Sequence, residues 1–178
     1  MGCDYGDNND DNLGYNDICN FGYIMDTDHI KRVTELIGGK TYTYRSKFEY
    51  RYAVYLEVLK NGGEILDWYY EDEDTFSEVK HKSGKVEIYR PDFAIDCVDG
   101  TLALHEVKGY FRSCDATKMK LFIEQYDTPL VLIFARRPVK AQLYRAQKLE
   151  PHLEAKGGRI IWDADKSLFS KIKFLFNY

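Results

Sequence analysis

Apolar residues at helical and at strand spacing divide the first third of the chain into three predicted elements. Residues 28–37 carry apolar side chains three and four positions apart and predict a short helix that ends at Gly38. Residues 40–44 alternate in polarity and predict a strand. Residues 46–60 predict a stronger helix, because one side carries an apolar stripe of Phe48, Tyr52, Leu56 and Leu59.

Four runs rich in β-branched and aromatic residues follow and predict strands. They are separated by acidic or glycine-containing turns and cover residues 64–71, 76–81, 86–94 and 101–108. Asp99-Gly100, between the last two runs, is typical of a hairpin turn. Because a hairpin pairs its strands antiparallel, we expect the last two runs to lie side by side.

The sequence after Gly109 alternates between helix and strand. Asp115 is placed to cap a helix that runs to Tyr126 and has one apolar face. Residues 130–135 form an uninterrupted apolar run, which is typical of a strand covered on both faces of a sheet.

Prolines mark the last part of the chain. Pro138 is expected to begin a helix and Pro151 to end or kink it, because proline lacks the N–H donor that a helix interior needs. A short strand over residues 159–162 and a helix over residues 167–176 complete the pattern. The alternation predicts an α/β fold in which helices flank a mixed central β-sheet.

Length and cysteine content narrow the class of protein. A chain of 178 residues suits one domain with its own core, and we assign residues 23–178 to it. The four cysteines form no CxxC pair and follow no secretory leader, which favours a reducing, cytosolic setting. No apolar run approaches the roughly 20 residues of a membrane-spanning helix, so we expect no membrane insertion.

Two charged segments lie in neighbouring predicted strands. Asp92 belongs to the run 86–94, and Glu106 and Lys108 belong to the run 101–108, with both side chains on one strand face. Antiparallel pairing brings the two carboxylates together, which costs energy unless a cation such as Mg²⁺ neutralises them. The set is a candidate metal-dependent site for phosphodiester hydrolysis. The alternative is a solvated surface ion pair, with Asp92 as a turn residue.

Glu49 is a candidate third acid. It lies in the first turn of the helix predicted over residues 46–60, toward the buried side rather than fully outward. There it can serve as a metal ligand beside the other two acids. The alternative is a capping box, in which Glu49 accepts a hydrogen bond from the backbone N–H of Ser46.

Four segments carry a resemblance to a known family: Ser46-Lys47-Phe48-Glu49, Gly63-Glu64-Ile65, Tyr89-Arg90-Pro91-Asp92-Phe93 and Glu106-Val107-Lys108-Gly109. They resemble the PD-(D/E)XK nuclease superfamily, in particular phage-type endonucleases related to Holliday-junction resolvases, over about residues 40–135. The resemblance implies a restriction-endonuclease-like αβββαβ core and Mg²⁺-dependent DNA cleavage, with Mn²⁺ as a substitute, often by a homodimer. It implies that Glu49, Asp92 and Glu106 bind the metal and that these three and Lys108 are catalytic.

The resemblance implies an endonuclease that leaves 5′-phosphate and 3′-hydroxyl ends, in the cytoplasm of a bacterium or a phage-infected cell. Its first expected substrate is branched or junction DNA, and the alternative is a specific sequence, as for restriction or homing enzymes. A nuclease subunit that needs a partner protein in recombination or transposition is a further possibility. A DNA-binding protein that keeps the fold without turnover is the alternative from another class.

Basic side chains outside these motifs are candidate contacts to DNA phosphates. They are Arg112, Lys118, Lys120, Arg136 and Arg137. Tyr110 and Phe111 follow the second motif, where an aromatic ring can stack on an unpaired base, although core packing explains Phe111 equally well. His105 is expected to face away from Glu106.

The net charge of −4 is unevenly distributed. The first thirty residues contain seven Asp and no Lys or Arg, which leaves +3 for residues 31–178. This small positive charge argues neither for nor against DNA binding. Residues 1–22 are predicted to form a disordered tail, either solvated without function or competing with DNA for a basic groove.

Overall fold

A computed structural model describes residues 32–169, so the predicted tail and most of the helix predicted over residues 167–176 lie outside the described residues. The strands are β1 (Val33–Ile37), β2 (Lys40–Tyr44), β3 (Ile65–Tyr70), β4 (Ser77–Lys80), β5 (Val86–Tyr89), β6 (Phe93–Cys97), β7 (Leu102–Lys108), β8 (Leu130–Phe134) and β9 (Arg159–Ile161). The helices are α1 (Lys47–Asn61), α2 (Ser113–Gln125), α3 (Lys140–Glu154) and α4 (Ala164–Ser167).

Five strands form a mixed central sheet in the order β3-β6-β7-β8-β9. The first three strands pair antiparallel, and β7, β8 and β9 pair parallel. Two separate hairpins, β1–β2 and β4–β5, accompany the sheet. The prediction of an α/β fold with a mixed sheet flanked by helices is confirmed.

Alternating side chains of the sheet build two apolar layers. Val107 and Ile133 face the layer that contains Leu56 of α1, whereas Leu104 and Leu132 face the layer that contains α2 and α3. All five residues of β8 are buried, as expected of a strand covered on both faces. From α1 to β8, with the β4–β5 hairpin set aside, the element order is helix, three strands, helix, strand, which is the order that the resemblance implies.

The helix predicted over residues 28–37 is wrong in its described part. Residues 33–37 form β1, which pairs with β2 in register across Gly38 and Gly39. Both glycines have positive φ, at 58° and 81°, which glycine adopts without the strain of a side chain. The Gly-Gly pair therefore turns a hairpin here instead of ending a helix.

The run predicted as one strand over residues 86–94 divides at Pro91 into β5 and β6. β5 pairs with β4 outside the central sheet, and only β6 pairs with β7. Proline has no N–H to donate to a strand ladder, and the residue before it is also restricted, so the chain leaves one sheet and enters another there. Asp92 lies in this junction rather than inside a strand.

Three predicted helix boundaries differ from the structure. α3 begins at Lys140 rather than Pro138, and it continues past Pro151 to Glu154. The carbonyl that Pro151 leaves without a donor belongs to Gln147, an exposed residue, so water can satisfy it. α2 is capped by Arg112, and Asp115 instead accepts the Arg112 backbone N–H at 3.0 Å.

No helix in the part of the chain from residue 32 to residue 169 combines the length and apolar character needed to cross a membrane.

Candidate active site

The two charged motifs meet at one end of the central sheet. Phe93, the residue after Asp92, pairs with His105 of β7, so Asp92 lies beside Glu106. Oδ2 of Asp92 accepts the backbone N–H of Val107 at 2.9 Å, which fixes the carboxylate against β7. Lys108 projects from the same strand face as Glu106, and its Nζ pairs with Oε1 of Glu106. The structure therefore brings Asp92, Glu106 and Lys108 together.

Three charged side chains are buried in the described part of the chain, and all three are the predicted acids. Asp92 is 2% exposed, Glu106 is 5% exposed and Glu49 is 8% exposed. Burial of a carboxylate is costly unless cations and hydrogen-bond donors surround it. The alternative of a solvated surface ion pair does not describe these residues.

Glu49 lies in the first turn of α1, where Ser46 is the N-cap, and its carboxylate has several hydrogen-bond donors. Its backbone N–H donates to Oγ of Ser46 at 3.2 Å, which is the first half of the predicted capping box. Its carboxylate accepts the Ser46 hydroxyl at 3.0 Å, the Arg45 backbone N–H at 2.9 Å and the Tyr70 hydroxyl at 2.6 Å. The Glu49 carboxylate thus accepts the backbone N–H of Arg45 rather than that of Ser46, which the predicted capping box requires.

Arg45 joins three carboxylates and was missed by sequence reasoning. Its Nη2 lies 2.5 Å from Oδ1 of Asp92 and 2.9 Å from Oε1 of Glu71, and its Nε lies 3.8 Å from Oε2 of Glu49. Burial lowers the pKa of Arg45, but these carboxylates outweigh burial and raise it above its usual value. Glu49 is therefore connected to Asp92 through the Arg45 guanidinium.

Glu71 is a fourth acid at this end of the sheet, and it was also missed. It follows β3 with a positive φ of 47°, which is strained for a residue with a side chain. Its backbone N–H donates to the carbonyl oxygen of Asp92 at 3.0 Å, and this hydrogen bond holds the unusual conformation. No charge pattern or spacing distinguishes Glu71 from the acidic residues that follow it.

Tyr89 is the hydroxyl partner of Glu106. It ends β5, is 3% exposed, and donates from its hydroxyl to Oε2 of Glu106 at 3.0 Å. Burial and the charge of Glu106 raise the pKa of Tyr89 well above its usual value, so the hydroxyl stays protonated. Tyr89 belongs to one of the segments that carry the resemblance, but its position before Pro91 did not indicate this contact.

The site holds more negative than positive groups. It contains four carboxylates and two cations, with a formal charge of −2 when all are ionised: Glu49, Glu71, Asp92, Glu106, Arg45 and Lys108. Burial and the charge of Glu106 raise the pKa of Asp92 well above its usual range, although Lys108 and Arg45 oppose this. Burial lowers the pKa of Lys108, but Glu106 and Asp92 outweigh burial and raise it. The cluster therefore has fewer positive than negative charges.

A divalent cation fits this deficit in charge and in ligand type. Mg²⁺ prefers carboxylate oxygens and uses one or two of them together with waters and phosphate oxygens. Asp92 and Glu106 supply such a pair. Among residues 32–169, no three His, Cys, Asp or Glu side chains are grouped closely enough to hold a metal ion as arranged. The predicted three-carboxylate set is therefore not assembled, because Arg45 lies between Glu49 and Asp92.

The five basic residues predicted to contact DNA divide into two groups. Arg136 and Arg137 follow β8, whose Phe134 pairs with Lys108, so they lie at the same end of the sheet as the acids. Arg136 is 88% exposed. The other three, Arg112, Lys118 and Lys120, belong to the start or the first turns of α2. Lys118 pairs with Glu87, and Lys120 pairs with Glu124.

The aromatic residues after β7 have different environments. Phe111 is fully buried against Phe134, which confirms core packing for it. Tyr110 is 52% exposed. His105 faces away from Glu106, as predicted, and its Nδ1 lies 2.7 Å from the hydroxyl of Tyr52 in α1. Burial, with a smaller effect of Arg159, lowers the pKa of His105 to about 3, so the ring stays neutral.

Comparison with known proteins gives a family and no activity. No curated protein and no solved structure matches the chain. The family described as "Protein of unknown function (DUF1064)" matches residues 30–142. This range is more than half of the chain and contains all six charged residues of the cluster. The chain belongs to the DUF1064 family.

Proposed function

We propose that the protein is a Mg²⁺-dependent DNA endonuclease that hydrolyses phosphodiester bonds. The observation that carries the proposal is the buried pair Asp92 and Glu106, held at one end of the sheet with Lys108 beside it. Two buried carboxylates in a cluster that holds more carboxylates than cations have the composition of a Mg²⁺ site in which substrate phosphate completes the coordination.

Asp92 and Glu106 would hold the metal, which when bound polarises the phosphate and lowers the pKa of a bound water. Tyr89 and the Val107 backbone N–H each occupy one oxygen of these acids, which leaves both carboxylates fixed in orientation. Mn²⁺ offers similar chemistry and is expected to substitute.

Lys108 acts as a cation in this scheme. Burial lowers its pKa, but Glu106 and Asp92 raise it in the metal-free protein, so Lys108 enters the scheme as a cation. It can donate hydrogen bonds to the attacking water and offset the charge that develops on the phosphate. Of the roles considered from the sequence, orientation and charge stabilisation are therefore favoured over base catalysis.

Branched or junction DNA is the substrate class we favour, cut by a homodimer. Arg136 and Arg137 extend the site along its end of the sheet and supply positive charge for a second stretch of backbone. Restriction-type or homing-type specificity, and a nuclease subunit that needs a recombination or transposition partner, remain the competing proposals for the same site.

Cleavage of a labelled DNA panel tests the proposal. Linear duplex, supercoiled plasmid, single strand and four-way junction are incubated with Mg²⁺ or with EDTA. Lys108→Ala should lower the cleavage rate by about 100-fold or more, since it removes a preorganised cation from the transition state. Lys156→Ala is the matched control, because Lys156 pairs with Asp127 away from the cluster.

Each outcome selects one proposal. Metal-dependent cutting of the junction alone supports a structure-selective enzyme, and cutting of defined plasmid sites supports a sequence-specific one. Retention of DNA with Mg²⁺ but no cutting of any substrate would contradict the nuclease and favour the DNA-binding protein. Light scattering of the purified protein tests the homodimer.

A further inference from the structure

Arg45 lies on the solvent-exposed side of the acidic cluster. It lies in the short connection between β2 and α1, and its guanidinium contacts Asp92, Glu71 and Glu49. Its side chain is 54% exposed, whereas that of Lys108 is 19% exposed. Arg45 is thus the cation of the cluster that can move into solvent at little cost in packing.

The contact with Asp92 covers the oxygen that a metal would need. Oδ2 of Asp92 is held by the Val107 backbone N–H, and Oδ1 is held by Arg45 at 2.5 Å. A divalent cation bound at Oδ1 and the guanidinium would then share one carboxylate oxygen and repel each other. Binding of a cation at Asp92 therefore favours departure of Arg45.

A guanidinium released from Asp92 has a suitable alternative partner in the proposed substrate. Arg45 stays charged after release, because an arginine guanidinium keeps its proton in proteins. Its planar fork of N–H donors matches the oxygens of a phosphate group. Because the side chain is exposed, it can contact a DNA backbone that lies across the cluster.

We propose that Arg45 is a built-in counterion of Asp92, which leaves this carboxylate when a divalent cation binds and then contacts a phosphate of the DNA backbone. The phosphate contact rests on the proposed function. The exchange with the cation is independent of DNA and can be measured without it.

Titration calorimetry with Mg²⁺ and Mn²⁺, without DNA, tests the exchange. Arg45→Met removes the competing cation and should tighten metal binding about tenfold. Arg51→Met is the matched control and should leave the affinity unchanged, since Arg51 pairs with Asp165. Equal or weaker metal binding by Arg45→Met would overturn the proposal.

DNA affinity with and without Ca²⁺ tests the phosphate contact. Arg45→Met should weaken junction binding about tenfold with Ca²⁺ and less than about twofold without it, because Arg45 is engaged by carboxylates in the metal-free protein. Loss by the same factor in both conditions would mean that Arg45 does not exchange partners, and would overturn the proposal.

The Nε–Hε NMR signal of Arg45 keeps the test decisive if Arg45→Met fails to fold. The signal is assigned by its absence in Arg45→Lys and should shift as Mg²⁺ saturates the wild-type protein. An unchanged signal at saturation contradicts the exchange. Wild-type protein that binds no divalent cation contradicts both proposals. If Arg45→Met changes neither metal binding nor DNA cleavage, only the proposed exchange by Arg45 is contradicted.

Discussion

Tyr89 shows how a single hydroxyl determines the orientation of a buried acid. Glu106 is almost fully buried, with Oε1 paired to Lys108 and Oε2 accepting the Tyr89 hydroxyl. The aromatic ring packs against Phe122 of α2, with centroids 4.7 Å apart, so the hydroxyl has little freedom to move. In the proposed nuclease, Tyr89 would be a positioning residue that acts through Glu106.

Tyr89→Phe keeps the ring and removes the hydroxyl. Glu106 loses one hydrogen bond, and we expect kcat to fall about tenfold with little change in KM, because substrate contacts remain. Metal affinity measured by calorimetry should fall as well. Tyr126→Phe is the control, since its hydroxyl donates to the Glu78 carbonyl and not to an acid of the cluster. Equal kinetics in both variants would contradict the role of Tyr89.

At the scale of elements, the start of α1 also places Glu49 in the cluster. Ser46 caps the helix, and its hydroxyl and the Glu49 carboxylate also form a hydrogen bond. An acid in the first turn interacts favourably with the positive end of the helix dipole. Ser46 therefore both starts the helix and holds one acid of the cluster.

Ser46→Ala should destabilise the protein by about 1 kcal/mol, the usual loss for removal of an N-cap side chain. Urea unfolding followed by circular dichroism measures this. Ser113→Ala is the control at the start of α2, where Arg112 is the cap, and it should stay within about 0.5 kcal/mol of wild type. A Ser46→Ala midpoint no lower than that of Ser113→Ala would refute the capping role.

The elements were predictable where a local pattern repeats over several residues. The stripe in α1 and the apolar run of β8 gave the correct element types, because each pattern reports burial on a regular face. The helix prediction failed over residues 33–37, because a strand of five residues is too short for its spacing to be told from helical spacing. Pro91 was noted, but its division of one run between two sheets depends on which strands are available to pair.

The site was predictable only in part, for the same reason. Asp92, Glu106 and Lys108 follow from strand alternation and hairpin pairing, both of which can be read from the chain. Arg45 and Glu71 lie in loops that connect elements. The position of Glu71 also depends on a positive φ, which few residues with side chains adopt. Such contacts carry no periodic signal, so the structure was needed to find them.

At the scale of the whole molecule, the buried charged side chains of residues 32–169 lie together at one end of the sheet. Ionisation of Asp92 is disfavoured in the folded chain because burial and Glu106 raise its pKa. An acid with a raised pKa gives stability that is complete below its unfolded value, here 3.8, and is lost as pH rises through the folded value. The contribution of Asp92 to the stability of the metal-free protein should therefore fall as pH rises above 3.8.

Thermal unfolding over a pH series, with EDTA or with Mg²⁺, measures this effect. With EDTA, Asp92→Asn should gain stability relative to wild type as pH rises, because position 92 no longer titrates. Mg²⁺ at about 100-fold over its dissociation constant should stabilise wild type by about 2.7 kcal/mol, more at high pH than at low pH, and should not stabilise the variant. Parallel curves for the two proteins would contradict the role of Asp92.

The stacking of Trp162 on Phe134 gives the chain its own optical reporter. The indole lies 5.2 Å from Phe134 at an interplanar angle of 7°, and Arg137 lies 5.0 Å from the indole. The only other tryptophan, Trp68, packs in the opposite layer of the sheet. In a Trp68→Phe protein, tryptophan fluorescence would come from Trp162 alone. A nucleic acid that draws Arg137 away from the indole would change that emission, so binding could be followed without an attached dye.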